Sequence, residues 1–463
     1  MMVMEMVRSV EVRIWGQRVG AVAPLAGRPG IYEFQYAPSF VRTGMELSPQ
    51  VMPASANRRY SFTTLGEETY RGLPGLLADA LPDKFGNALI DAYMEKHSVK
   101  AQDVTTLQRL LYVGKRAMGA IEFEPAIADH EAQGVSTPLQ LAHLVEGARR
   151  ALRGEFTEIA QDIIDVGSSA GGTRAKAVIG WKPDTNEVVS GQFDLPDGFE
   201  HWLLKFDVGD DRILGYSAGF GRIEYAHYLM ADDAGITMNP CRLLEENGRA
   251  HFMTKRFDRD GNEKLHLQSL CGIAHLDFNM PYVHGYEQYF RTVLDMKLGA
   301  DALHEAWKRC AFNVVAVNCD DHTKNLAFLK PQGGEWQLAP AFDTCFSHNP
   351  AQDKWTRQHQ MLVNGKAWNI TKQDLLDLAD KFDIRQAKES LDRIIDSVGR
   401  WPEFAKKADV AHKDVKAIEA FQKAQKIDKT IKSPPPPVTV DTPTRGGAVE
   451  LGPVGAKAQF DDI

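Results

Sequence analysis

A dense run of polar residues, NCDDHTKNLAFL at positions 318–329, follows an apolar segment with the composition of a helix. It contains Asp320 and, five positions later, Asn325, and a second carboxylate, Asp343, stands in an apolar frame further along the chain. Phosphoryl transfer uses this set of groups, because one carboxylate orients the attacking hydroxyl while an amide and another carboxylate hold Mg²⁺ against nucleotide phosphates. The pattern therefore predicts a catalytic role for Asp320 and a Mg²⁺ site at Asn325 and Asp343.

The spacing of Asp320 and Asn325 also occurs in the catalytic loop of protein kinases. By itself it is a weak signal, because Asp and Asn are common in solvated turns, where they cap the backbone. Support comes from Lys205, which lies in the apolar strand-like run HWLLKFD. A lysine there is costly unless it is paired or faces a cleft, and in kinases a strand lysine contacts nucleotide phosphates. The helical run GRIEYAHYLMADDAGI offers Glu224 as its ion-pair partner.

A glycine-rich segment, VGSSAGGTRAKAVIGW, precedes that strand and predicts a turn that runs into a further strand. Small residues let backbone N–H groups approach phosphates. A Walker A loop is excluded, because Gly172 is followed by Thr173 and Arg174 rather than by Lys. A phosphate-binding loop and a plain hairpin loop both stay open on these residues. The run MTKRFDR is likewise either a strand whose backbone contacts adenine or an ordinary strand end.

The elements around these residues predict an α+β protein with a two-lobed catalytic part. A hairpin is expected around Gly16 and Gln17, a helix broken at Pro82, and a second hairpin at the Gly333–Gly334 turn. The chain of 463 residues is long enough for two or three domains, at about 150 residues each. The predicted parts are a small N-terminal α+β unit (residues 1–125), a nucleotide-binding lobe with the glycine-rich loop (126–258), a mostly helical catalytic lobe (259–432) and a disordered Pro- and Gly-rich tail (433–463).

Composition excludes several classes of protein. The net charge of −8 argues against a generally basic nucleic-acid coat. Five cysteines without a CxxC pair argue against a disulfide framework, and Cys319 with His322 would need two more ligands to hold zinc. Charged residues interrupt the apolar N-terminus, and no window is apolar enough to span a membrane. We therefore expect a cytoplasmic protein with no membrane contact.

Several motifs, taken in order, resemble the HipA family, the serine/threonine kinase toxins of bacterial toxin–antitoxin pairs. The resemblance runs from about residue 10 to about residue 400 and implies a protein-kinase-like, HipA-like fold preceded by a small N-terminal domain. Departures are the TRAK sequence in the glycine-rich loop and the tail after residue 432, which is not part of the family core. The motifs are WGQRVG, LPGLLADALPD, SSAGGTRAK, WLLKF, KRFDR, LQSLCGIAHLDF, NCDDHTKNLAFL and LAPAFDTCF.

The resemblance also implies ATP and Mg²⁺ as cofactors and a role for each matching position. Asp320 matches the catalytic Asp, with His322 and Lys324 in supporting roles. The implied Mg²⁺ ligands are Asn325 and Asp343. The implied nucleotide contacts are Lys205, the phosphate-loop residues Ser169, Gly171, Gly172 and Lys176, the adenine hinge from Lys255 to Phe257, and Asp258 beside the ribose. The implied autophosphorylation site is Ser169, with Ser168 as a close second.

The function implied by the resemblance is a serine/threonine protein kinase that phosphorylates a translation-related protein such as an aminoacyl-tRNA synthetase and limits itself by autophosphorylation. Its implied partner is a DNA-binding HipB-like antitoxin, through which alone it would reach DNA. Two alternatives stay open. A small-molecule kinase would share the catalytic residues, but it would not need the N-terminal unit. A catalytically silent antitoxin-binding co-repressor would be expected to lose at least one of the catalytic residues.

Overall fold

The computed structural model describes residues 7–126, 139–152, 175–207, 219–349, 355–424 and 427. No helix in these ranges is long and apolar enough to cross a membrane. The strands are β1 (Val10–Ile14), β2 (Gln17–Pro24), β3 (Tyr32–Tyr36), β4 (Arg59–Tyr60), β5 (Ile121–Glu124), β6 (Lys176–Trp181), β7 (Val188–Ser190), β8 (Glu200–Lys205), β9 (Cys241–Glu246), β10 (Arg249–Lys255), β11 (Arg259–Asp260), β12 (Glu263–Lys264), β13 (His266–Ser269), β14 (Ala327–Lys330) and β15 (Gln337–Leu338).

The helices alternate with these strands in the first half of the chain and dominate the second half. Short 3₁₀ turns occur at Ala101–Asp103 and Thr323–Asn325. The α-helices of the described part are α1 (Pro38–Val41), α2 (Glu67–Tyr70), α3 (Gly75–Ala78), α4 (Lys84–Lys96), α5 (Thr106–Val113), α6 (Leu141–Leu152), α7 (Phe220–Asp233), α8 (Leu270–Ala274), α9 (Tyr286–Asp295), α10 (Ala300–Ala316), α11 (Lys372–Lys381), α12 (Ala387–Gly399), α13 (Trp401–Lys407) and α14 (His412–Ala424).

The N-terminal domain is built on an antiparallel sheet in the order β4-β3-β2-β1-β5. Val10, Val12 and Ile14 are fully buried and alternate with more exposed residues, as expected for a strand with one face on the core. The hairpin predicted around Gly16 is present, and its turn residues Trp15 and Gly16 both have positive φ. Because β5 pairs with β1, the segment ending at residue 124 returns to the start of the chain and closes this sheet.

A second antiparallel sheet, in the order β7-β6-β8-β10-β9, carries Lys205 at the end of its central strand. One of its faces packs on α4 and α6, through side chains that include Phe85, Leu89, Leu144 and Val145. Helix α4 precedes residue 125, so this core crosses the sequence position at which we expected the first boundary. The N-terminal domain and this lobe are therefore joined by shared packing as well as by the chain.

The C-terminal lobe has the largest core, formed mainly by α7 and the helices from α8 onward. Trp307 and Phe312 of α10 are buried in it, and Val317, the residue that follows α10, is in a left-handed conformation. The predicted hairpin at Gly333–Gly334 is present as β14 and β15. Strand β13 pairs with β14 and was not predicted, because its four residues include buried polar side chains. The predicted tail at residues 433–463 lies outside the described residues.

Candidate active site

Strand β8 and helix α7 bring a lysine and a glutamate together in the cleft between the lobes. Lys205 Nζ lies 2.5 Å from Glu224 Oε1, and the two side chains are 9% and 3% exposed. The same Nζ also contacts Asp343 Oδ1. Burial alone would lower the pKa of Lys205, but the carboxylates of Asp343 and Glu224 outweigh it and hold the pKa above its ordinary value. The ion pair between Lys205 and Glu224 that the sequence predicts is thus present, and it holds the ammonium group of Lys205 beside Asp343.

Asp343 lies after β15 in a left-handed conformation, with φ of 55°. A non-glycine residue adopts this conformation at a cost, and such residues cluster at functional sites. Although burial raises the pKa of its carboxylate, Lys205 and Lys176 lower it by more, to about 2. Asp343 is therefore ionised at neutral pH, as a Mg²⁺ ligand must be.

The polar run after α10 is held by a network of buried side chains. Asn318 donates from Nδ2 to Asn313 Oδ1 at 3.0 Å and to the backbone carbonyl of Asp343 at 3.4 Å. Asn313 in turn donates to the hydroxyl of Tyr286 at 3.0 Å, and that hydroxyl donates to Asp321 Oδ2 at 2.9 Å. The backbone at Asp343 and the loop that carries Asp320 are thus linked through α10 and α9.

The adjacent carboxylates Asp320 and Asp321 have different environments. The Asp321 side chain is fully buried, whereas that of Asp320 is 44% exposed. Asp321 accepts hydrogen bonds from Tyr286, from the Gln360 backbone at 2.8 Å and from His359 at 3.1 Å. Its role is to anchor the loop, which leaves Asp320 as the carboxylate that a substrate can reach.

Asp320 lies next to the candidate metal ligands. Asn325 donates from Nδ2 to the Asp320 carbonyl at 2.9 Å, and His322 Nε2 lies 3.7 Å from Asp320 Oδ1. Loss of hydration raises the pKa of Asp320, and the carboxylates of Asp343 and Asp321 add to the rise. Because the Asn325 nitrogen already donates within the loop, its amide oxygen is the atom left for a cation.

The lobes enclose a cleft of about 940 Å³, part of which is open to solvent. Pockets for small molecules typically combine a mostly apolar lining with a few convergent polar groups. One part of the lining is apolar and contains Met118, Phe257, Leu267 and Phe342, with the Phe257 and Phe342 ring centroids 5.3 Å apart. The polar part contains Lys176, Lys205, Lys324, Asn325 and Asp343.

These residues fit a nucleotide and a hard cation. The three lysines suit phosphates, and the apolar part suits a flat base. Asn325 and Asp343 supply oxygen ligands, which Mg²⁺ prefers, and Mg²⁺ is commonly held by one or two protein carboxylates together with substrate phosphates. Among the described residues, no group of three or more His, Cys, Asp or Glu side chains converges on one point.

The N-terminal domain contributes to the cleft directly. Asp79 and Met118 line it. The Asp79 carboxylate accepts hydrogen bonds from the backbone N–H and the hydroxyl of Ser269, both at 2.7 Å. Asp83 Oδ2 lies 3.3 Å from Lys176 Nζ, and both side chains are buried. No role was predicted for the residues of the LPGLLADALPD motif, but its two aspartates belong to the site.

The predicted adenine hinge is the backbone around Lys255 to Phe257, and its contact with adenine stays a prediction. Phe257 lines the cleft, but the Lys255 side chain is 39% exposed and pairs with Glu200 at 2.6 Å. Asp258 is fully buried and pairs with Arg256 and Arg259, whose guanidinium groups hold the pKa of the carboxylate below its usual range against the effect of burial.

Asp258 also accepts a hydrogen bond from the Gly119 backbone at 2.7 Å, and it does not line the cleft. Its contacts therefore give it a structural role between domains, and the ribose contact stays a prediction without support from geometry. The predicted loop residues Ser168, Ser169, Gly171 and Gly172 lie outside the described residues.

Two family models match the chain, the HipA-like C-terminal domain at residues 168–403 and the HipA N-terminal domain at residues 10–124. The chain belongs to the HipA family. This membership and the α+β, HipA-like fold were both predicted from the sequence and are confirmed. No curated protein matches the chain.

One solved structure agrees with the family at the level of fold. The chain is similar to HipA of Shewanella oneidensis MR-1, solved in complex with HipB and its operator DNA, with a TM-score of 0.61 and 16% identity over 90% of this chain and 96% of that one. A match to the Helicobacter pylori proinflammatory kinase CtkA has a TM-score of 0.32 and 16% identity over 49% of this chain and 88% of that one.

Proposed function

We propose that this member of the HipA family is an ATP- and Mg²⁺-dependent serine/threonine protein kinase. The observation that carries the proposal is the convergence in one cleft of Lys205, paired with both Glu224 and Asp343, with Asn325 beside Asp320. A lysine paired with a helix glutamate and an aspartate that can bind metal are both required in kinase active sites. A protein that only bound a partner would not need this arrangement of buried charges, which costs free energy to desolvate.

The proposal assigns each residue a role that its contacts support. Asp320 accepts a hydrogen bond from the acceptor hydroxyl and takes its proton as transfer proceeds, because its carboxylate is the exposed member of the pair with Asp321. Lys205, Lys176 and Lys324 balance the charge of the phosphates. Mg²⁺, when bound at Asn325 and Asp343, would supply further positive charge against the phosphate oxygens. His322 Nε2 lies 3.7 Å from Asp320 Oδ1, so a small movement would bring the two atoms within hydrogen-bonding distance.

The biological setting is proposed from the family. We propose that the chain is the toxin of a toxin–antitoxin pair and that it phosphorylates a translation-related protein such as an aminoacyl-tRNA synthetase. Ser169, or its neighbour Ser168, is the proposed site of self-limiting autophosphorylation. The S. oneidensis relative was solved with HipB and operator DNA, so we propose a HipB-like antitoxin as partner and DNA contact through that partner alone.

The test is incubation of the purified full chain with labelled ATP and Mg²⁺, followed by mass spectrometry of the glycine-rich segment. We expect phosphate on Ser169 or Ser168 in the wild type and none in Asp320→Asn. Asp377→Asn is the matched control, because Asp377 is an exposed carboxylate on α11. Absence of both phosphate incorporation and ATP hydrolysis in the wild type contradicts the proposal. ATP turnover that needs an added sugar or aminoglycoside would identify a small-molecule kinase instead.

A further inference from the structure

Gln360 contacts both carboxylates of the Asp320–Asp321 pair. Its backbone N–H donates to Asp321 Oδ1 at 2.8 Å, and its side-chain Nε2 donates to Asp320 Oδ1 at 2.7 Å. Its carbonyl accepts from the Tyr282 backbone at 2.9 Å, and the residue is 3% exposed. One residue therefore connects the buried anchor of the loop to the carboxylate proposed to act on substrate.

The contact with Asp320 determines the orientation of the amide. An ionised carboxylate can only accept hydrogen bonds, so the Gln360 nitrogen must face Asp320 and Oε1 must point away from it. That oxygen is buried, and it has no hydrogen-bond partner among the described residues. A buried acceptor without a partner costs about 1–3 kcal/mol. Fold stability therefore does not explain a glutamine here, whereas the need for a donor to Asp320 does.

We propose that Gln360 is a positioning residue that holds the Asp320 carboxylate in the orientation that receives the acceptor hydroxyl. The proposal rests on the kinase function proposed above. A catalytic group must be held within about 0.5 Å of its productive position, and a misplacement of about 1 Å can lower a rate about 10²-fold. Asp321, buried and fixed from three sides, provides the rigid base from which Gln360 restrains its neighbour.

The substitution that tests this is Gln360→Met, because methionine has a similar length and volume but neither donates nor leaves an unpaired acceptor. We expect the rate of phosphate incorporation at saturating ATP to fall about 10²-fold. The KM for ATP should stay unchanged, since Gln360 does not line the cleft. The melting temperature should stay the same or rise. A purely structural role for Gln360 predicts the reverse, a lower melting temperature with the rate retained in the folded fraction.

Gln268→Met is the matched control. Gln268 is fully buried, and neither of its amide atoms has a hydrogen-bond partner among the described residues. Strand alternation turns it away from Leu267 and Ser269, which line the cleft. We expect its rate to equal that of the wild type. If Gln360→Met fails to fold, Gln360→Leu is the second variant, because leucine also cannot donate a hydrogen bond to Asp320, and the same loss of rate is expected.

Backbone hydrogen exchange of residues 318–325 separates this inference from the proposed function. Loss of the Gln360 restraint should speed exchange in this loop but not in the Gln268→Met variant. If the wild type transfers no phosphate, the proposed function fails, and exchange alone decides whether Gln360 restrains the loop. An unchanged rate in Gln360→Met, or unchanged exchange in this loop, overturns the inference while leaving the kinase function intact.

Discussion

Asp83 of the N-terminal domain and Lys176 of the neighbouring lobe form a buried ion pair, with Asp83 Oδ2 and Lys176 Nζ 3.3 Å apart. The other oxygen, Oδ1, accepts a hydrogen bond from the Gly86 backbone at 2.8 Å and caps α4. Burial raises the pKa of Asp83, and Lys176 opposes that rise. A single carboxylate therefore starts a helix and holds a lysine that lines the cleft, which makes the N-terminal domain part of the site.

The first prediction concerns this pair. Asp83→Asn keeps a good helix cap, since Asn and Asp cap equally well, but it leaves the Lys176 charge buried without this partner. Removal of one partner from a buried pair costs up to about 3–5 kcal/mol when the other charge is left uncompensated, and the cost here should be smaller, because Lys176 also interacts with Asp343. We therefore expect Asp83→Asn to lower the free energy of unfolding. We also expect it to raise the KM for ATP, because Lys176 lines the cleft.

A double-mutant cycle with Lys176→Met checks the first prediction. We expect the double variant to be destabilised by less than the sum of the two single variants, with a coupling energy of about 0.5–3 kcal/mol in chemical denaturation. The control is Asp91→Asn, which removes a more exposed carboxylate of α4 from its pair with Arg109 of α5. It should leave the KM for ATP unchanged. Additive effects of the two substitutions would mean that the pair does not act as a unit.

The second prediction concerns Lys205. Lys205→Met leaves Glu224 and Asp343 without their shared cation, and removal of a donor that faces developing charge costs on the order of 10² in rate. We expect a fall of that size in phosphate incorporation, and a smaller fall for Glu224→Gln, which removes one charge but keeps a hydrogen-bond partner. Lys372→Met, which breaks a solvent-accessible pair with Asp392 outside the cleft lining, should retain the wild-type rate. Equal activity in Lys205→Met and the wild type would contradict the assignment of the cleft.

Much of the site follows from local sequence. Lys205 stands in a run of apolar residues, and a buried lysine needs a carboxylate as its partner. The helical run that follows in the sequence contains Glu224, which can supply that carboxylate. The separation of Asp320 and Asn325 fits within one loop, so their proximity follows from the chain itself. Hairpins at Gly16 and Gly333 follow from turn chemistry.

The site residues that the sequence did not predict contact partners that are distant along the chain. Gln360 reaches Asp320 from 40 positions away, and Asp83 reaches Lys176 from 93 positions away. No periodicity or short motif connects such pairs, because only tertiary packing brings them together. Strand β13 was missed for a related reason. It lies in a sheet of three short strands, and its buried His266 and Gln268 do not give the alternation that marks a strand.

The third prediction concerns the contact between α3 and α8, where the N-terminal domain meets the C-terminal lobe. A Cβ at Gly75 would lie 2.2 Å from the Gly272 carbonyl oxygen and 2.6 Å from His275 Cδ2. Gly75→Ala must therefore separate the two helices, and we expect a loss of about 1–3 kcal/mol, as for other overpacked sites. Gly399→Ala is the control, because no neighbouring atom of the described residues lies within 4 Å of its Cβ position. Thermal denaturation of both variants tests this prediction. Equal melting temperatures would show that the contact between α3 and α8 can accommodate a methyl group at position 75.

The fourth prediction concerns pH and His227. This histidine is fully buried on α7, donates from Nδ1 to the Ile223 carbonyl at 2.9 Å and lies against Trp401. Burial lowers its pKa from 6.5 to about 4. Because the folded-state pKa is the lower one, the unfolded chain binds the extra proton between pH 6.5 and pH 4. The neutral ring thus contributes stability that is complete above pH 6.5 and is lost as the pH falls through about 4.

Within that window one such histidine changes the free energy of unfolding by about 1.4 kcal/mol per pH unit. We expect urea denaturation of the wild type to show stability falling from pH 6.5 to pH 4, with a slope smaller by up to that amount in His227→Leu. His266 is also fully buried with a pKa lowered to about 4, so part of the slope should persist in the variant. His412 is exposed, and His412→Leu should keep the wild-type slope. A slope in His227→Leu equal to that of the wild type would mean that His227 is already protonated in the folded protein or that local opening admits the proton.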